Sequence, residues 1–72
     1  MTDLEWLELF AENLKSLMND RCLTQHELAE ISGCSDSTIS RYLKKQQIPN
    51  APTITRLAYA LDCDVSELID FE

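Results

Sequence analysis

The chain has 72 residues, 44% of them hydrophobic, with a single glycine and a formal net charge of −7. That length builds one small domain around one modest core, and the apolar content argues against disorder. No apolar run approaches the roughly 20 residues of a membrane span, and the acidic N-terminus lacks the basic start of a signal peptide, so a soluble cytoplasmic protein with no membrane contact is expected.

No stretch alternates with the period of a half-buried strand, and helix starts are well marked. The first helix is expected over about residues 3–20. Thr2 and Glu5 stand at the spacing of a capping box, where each side chain reaches the other's backbone N–H. Leu4, Leu7, Ala11, Leu14 and Met18 form a core stripe with Phe10 and Leu17 beside it, opposite a wet face of Glu5, Glu8 and Glu12. Trp6 and Leu9 fall at the edge of the apolar arc. They either cover the domain's own end or anchor a contact with a second subunit or another protein.

Thr24 with Glu27 makes a second capping box and opens a helix of about 25–32. Ser35 followed by Asp36 suits the start of a third, about 36–44, with a hydroxyl cap and an acid in the first turn. The apolar positions here are Leu28, Ile31, Ile39, Tyr42 and Leu43. Ala29 is small enough for a close helix crossing, Gly33 can take the left-handed conformation that ends one helix, and Ile39 can plug the angle between the two. The prolines of IPNAP, residues 48–52, bar a continuous helix. A fourth helix is expected at about 52–61, and Asp64 with Glu67 caps a fifth at about 65–70. The expectation is one compact all-α domain spanning 1–72: five helices, with a helix-turn-helix at about 24–43.

Charge is unevenly placed along this frame: −4 over residues 1–20, −1 over 21–34, +2 over 35–50 and −4 over 51–72. The one positive block, Arg41, Lys44 and Lys45 against Asp36, lies on and just after the third helix. Net charge governs long-range steering, whereas phosphate binding needs only a local basic patch. The overall acidity therefore weakens a nucleic-acid reading without excluding it. Cys22, Cys34 and Cys63 are odd in number and lack metal-ligand spacing, and His26 is the only histidine. Small thiols in or near the core are expected, with no metal and no cofactor. No Gly-rich phosphate loop or base-activated nucleophile suggests an enzyme.

The stretch TQHELAEISGCSDSTISRYL, with IPNAPTITRLAYALDCDVSELI after it, resembles the phage repressor/Cro-type helix-turn-helix domains of the XRE family. The likeness runs from about Asn13 to Ile69. It rests on T-Q-x-E-L-A, G-x-S-x-S-T-I-S-R, Pro49, L-A-x-A-L and S-E-L-I in combination. The resemblance implies a lambda-repressor-like fold that binds double-stranded DNA, usually as a dimer, with the second helix of the motif in the major groove. Carried across, it makes Asp36, Ser37 and Arg41, with Ser40 nearby, the base-reading candidates. Arg41 can pair bidentately with guanine O6 and N7, and Asp36 can accept from cytosine N4. Thr24, Gln25, Ser35, Lys44, Lys45 and Gln46 become the phosphate-binding candidates. The plainer reading makes the serines caps, Arg41 a solvated residue and the lysines favourable charges at a helix end.

Two departures from the family stand out. Its first helix often carries an Arg where this chain has Met18, and its recognition helix often ends in a Glu where this chain has Leu43. Exchanging both ends of such an ion pair for apolar residues is often neutral, whereas losing one strands a charge. A Met18–Leu43 contact is expected. Asp36, at the reading edge, repels phosphates. The expected function is a small transcriptional regulator of the Cro type, a dimer on a two-fold operator. The alternative is a protein-interaction module, of antitoxin or antirepressor type, using Trp6, Leu9 and the acidic first helix to bind a basic partner.

Overall fold

A computed structural model describes residues 1–70. Five helices follow one another: α1 Asp3–Asp20, α2 Gln25–Ser32, α3 Asp36–Leu43, α4 Ala51–Ala60 and α5 Val65–Ile69. Their ends lie within a residue of the sequence expectation because the caps are real. Thr2 Oγ1 accepts from the Glu5 N–H at 3.2 Å, while the Glu5 carboxylate accepts from the Thr2 N–H at 3.2 Å. Thr24 and Glu27 repeat the pattern at 3.1 and 3.0 Å. Ser35 Oγ accepts from the Thr38 N–H at 3.1 Å, and the Glu67 carboxylate accepts from the Asp64 N–H at 2.9 Å. At α4 the cap is Asn50, whose Oδ1 accepts from the Thr53 N–H at 2.9 Å. Pro52 sits in that first turn, where a missing N–H costs nothing.

Helix α1 packs on α3 and α5, α2 packs on α3 and α4, and α4 packs on α5. Phe10, Leu14, Leu28, Ile39, Leu57, Leu61 and Leu68 are fully enclosed and come from or directly follow all five helices, so one core serves the whole domain. Tyr42 meets Phe10 edge-to-face, with centroids 6.1 Å apart, and Trp6 stacks on the same Phe10 at 5.3 Å. Ala29 and Ile39 are buried at the α2–α3 crossing, as their sizes require. Two side chains, one in α1 and one after it, hold the far ends of later helices: Asn13 Nδ2 donates to the Leu68 carbonyl at 3.0 Å. Just beyond α1, Arg21 Nε donates to the Leu61 carbonyl. Both satisfy carbonyls that a helix end leaves without partners.

Three expectations are corrected. Leu4 is 59% exposed, because the first turn of an 18-residue helix extends past the short helices that cover it from Leu7 onward. Ile31 is 53% exposed. The buried arc of α2 runs through Leu28, Ser32 and Ala29, and Ile31 falls on the far side of Leu28. Cys22 is exposed rather than packed, while Cys34 and Cys63 are half-buried. Burial raises the Cys63 thiol above its ordinary pKa, with the neighbouring acids adding to the effect.

Cys22 also belongs to a repeated feature. Four helices end on a left-handed residue: Cys22 with φ 53°, Gly33 with φ 76°, Lys45 with φ 63° and Asp62 with φ 52°. In each case the next N–H reaches back five residues, from Leu23 to the Met18 carbonyl, Cys34 to Ala29, Gln46 to Arg41 and Cys63 to Ala58, at 2.8–3.0 Å. This is the closure that glycine usually provides. Only Gly33 provides it here, and a Cβ built there meets nothing, so its backbone angle alone is what asks for glycine.

Candidate nucleic-acid interface

The two helices of the motif are joined through Gly33, Cys34 and Ser35, and this turn brings the N-terminus of α3 beside that of α2. The Gln25 side chain reaches the Asp36 carbonyl at 3.5 Å, the outer limit of a hydrogen bond. Thr24, Gln25, Asp36 and Ser37 are all exposed along this edge. Thr24 is occupied by its capping box and Ser35 by its cap and a 2.8 Å contact with Thr38 Oγ1. Those hydroxyls therefore already have structural partners.

Only Ile39 and Tyr42 of α3 are buried. Ser37, Arg41 and Lys44 recur at four and three residues, which puts them on one outward stripe, and Ser40 is half-buried beside them. Arg41, Lys44, Lys45 and Gln46 are exposed. Among the described residues the ion pairs are those of His26, and no carboxylate pairs with Arg41, Lys44 or Lys45. Three uncompensated cations on a molecule of −7 charge make a local attractor for phosphate. The left-handed conformation of Lys45 turns the chain sharply after α3 and keeps the lysine pair at its C-terminal end.

Leu43 is half-buried on the core to which Met18, 7% exposed, belongs. It also lines a shallow groove with Ala11, Glu12, Lys15 and Lys45. The acidic face of α1 therefore approaches the basic end of α3 along this groove. Trp6 and Leu9 are half-buried. Among the described residues no three His, Cys, Asp or Glu side chains gather as metal ligands, and no helix is long and apolar enough to cross a membrane.

The residue that sequence reasoning passed over is His26. Its Nδ1 lies 3.2 and 3.0 Å from the two carboxylate oxygens of Asp36, and its Nε2 lies 2.8 Å from Glu30. The Asp36 hydrogen bond and charge, then Glu30, raise the imidazole above its usual pKa. Both partners were visible as single residues. The signal for their meeting was that a helix-turn-helix sets the N-termini of its two helices side by side.

Comparison with known proteins agrees with the helix-turn-helix fold. Residues 13–72 match the model of the Cro/C1-type HTH DNA-binding domain. The control protein C.SmaI of Serratia marcescens is 37% identical over 62 residues, 86% of this chain and 74% of that protein. The HTH-type transcriptional repressor RghR of Bacillus subtilis is 43% identical over 56 residues, 76% of this chain but only 42% of its own length. Among solved structures, the restriction-modification controller protein C.AhdI of Aeromonas hydrophila superposes with a TM-score of 0.83 at 32% identity, covering 86% of this chain and 94% of that one. An HTH_3 family regulator from Vibrio cholerae shares the fold with a TM-score of 0.91 at 23% identity, over 96% of this chain and 39% of its own. With its capped helix pair, its enclosed Ile39 and a family match spanning most of its length, the chain belongs to the Cro/C1-type helix-turn-helix DNA-binding family.

Proposed function

We propose that this DNA-binding transcription regulator lays α3 in the major groove and reads a two-fold operator as a homodimer. The observation that carries the reading is the outward stripe of α3, which ends in three unpaired cations on an otherwise acidic protein. Arg41 pairs with a guanine edge, and Ser37 and Ser40 contact neighbouring bases or phosphates. Lys44, Lys45 and Gln46 hold the backbone from the C-terminal end of the helix, while Thr24, Gln25 and Ser35 approach it from the other end, where the Gln25 amide in the first turn of α2 is a donor. For the second copy, Tyr59 on α4 is 84% exposed and offers more uncovered apolar surface than the half-buried Trp6 and Leu9. A dimer seated over a promoter excludes polymerase, so repression is the simplest outcome, and the names of the relatives, a repressor among them, support control of transcription.

The test is selection of bound duplexes from a random DNA pool at low and near-physiological salt. A two-fold-symmetric site, lost in Arg41→Ala, is the expected result. Retention without sequence enrichment would reduce the role of α3 to phosphate contact. No retention even at low salt would favour the protein-interaction alternative, with the acidic face of α1 as its surface.

A further inference from the structure

An aspartate is a costly residue at the leading turn of a helix that must approach two rows of phosphates. Asp36 is not bare, however. The two ring nitrogens of His26 face two different acids, Asp36 on α3 and Glu30 on α2, at 2.8–3.2 Å. A neutral imidazole has one N–H and can donate to only one of them, whereas the imidazolium donates to both. Donation to both acids at once therefore requires the charged ring. Glu27, next in sequence, adds a further acid. Helix α4, also packed on α2, brings only Arg56 as a charged residue. The three side chains are 59–69% exposed, so this bridge sits on the surface edge where DNA would lie.

We propose that His26 is a positioning residue for DNA binding: its imidazolium ties Asp36 to Glu30, holds the Asp36 carboxylate on the protein side of the interface, and offsets charge that would push phosphates away. The role deepens the function proposed above and holds only if α3 faces DNA. Bound DNA places further negative charge beside the ring and favours its protonated form, so binding takes up a proton. Linkage then fixes the sign. Binding is tight while His26 is protonated and weakens as pH rises through its ionisation.

The experiment measures affinity for a labelled duplex of mixed sequence by fluorescence anisotropy, from about pH 6 to about pH 8 at low salt. The protein as it stands should lose roughly three- to tenfold in affinity across that range, the effect of about one charge beside the phosphates. His26→Gln should bind weakly at both ends with a flat profile. Asp36→Asn should bind more tightly, with its pH dependence displaced to lower pH, and the double variant should recover the tight binding that His26→Gln loses while staying flat. In the free protein, Asp36→Asn should also move the imidazole titration followed by NMR to lower pH. Circular dichroism at each pH checks that these exposed substitutions leave the helices intact. If His26→Gln keeps the original slope and affinity while Arg41→Ala/Lys44→Ala loses binding, the role of His26 is wrong and the α3 interface stands. If Arg41→Ala/Lys44→Ala binds unchanged, α3 is not at the DNA and both readings fall.

Discussion

Helices α1 and α3 share one core and use their residues in opposite ways. Helix α1 buries Leu7, Phe10, Ala11, Leu14, Leu17 and Met18 along its length. Helix α3 buries Ile39 and Tyr42 and depends on a serine cap and a glycine turn for its placement. The charged outward residues of α1 are mostly acidic and the outward residues of α3 are largely basic or hydroxylic. The contrast shows how a short chain separates two demands: the long helix carries much of the core, while the short one turns Ser37 and Arg41 to solvent. Stability and binding should then respond to different substitutions.

The largest effect should come from a point where α3 is fully enclosed. Ile39→Ala, at a fully enclosed site, should cost about 2–4 kcal/mol in urea denaturation; a loss no larger than that of a surface substitution would mean that α3 is not anchored by its plug. Next in size is Leu43→Glu, which puts a carboxylate at the core margin and should cost about 1–3 kcal/mol. Adding Met18→Arg should recover part of that loss, because the two ends would again form an ion pair. Additive behaviour of the two changes would show that Met18 and Leu43 do not meet. A smaller gain is expected from Cys22→Gly, about 0.5–1 kcal/mol more stable by thermal melting, since it removes a side chain from a left-handed position. The smallest change in stability, within about 0.5 kcal/mol, belongs to Arg41→Ala. If that substitution unfolds the protein, the division between the two helices fails.

Much of this arrangement was legible in the residues. Capping boxes at Thr2 and Thr24 set helix starts to within a residue, and Ala29, Gly33 and Ile39 marked the crossing and its turn. Leu4 and Ile31 were misplaced for a common reason. Periodicity identifies an apolar arc, but how far the covering helices extend along or around it is a property of the assembled core. Asn50 was hidden by the stronger signal of the two prolines around it. The left-handed turns at Cys22, Lys45 and Asp62 carried no signal, because only glycine announces that conformation. The bridge of His26 to Asp36 spans ten residues and two helices, and no local pattern encodes it.

The two side-chain hydrogen bonds from Asn13 and Arg21 to the Leu68 and Leu61 carbonyls have a consequence for how the molecule opens. Helix α5 is five residues long, far too short to persist by itself in water. Its last turn, and the end of α4 before it, are tethered to the segment around α1, which precedes both by some forty residues or more in the chain. The C-terminal helices therefore cannot detach as a separate unit without stranding polar groups at the opposite end of the sequence. Amide exchange in α4 and in the C-terminal half of α1 should accordingly follow one shared opening, so that the domain breathes as a single cooperative unit rather than unravelling from its tail.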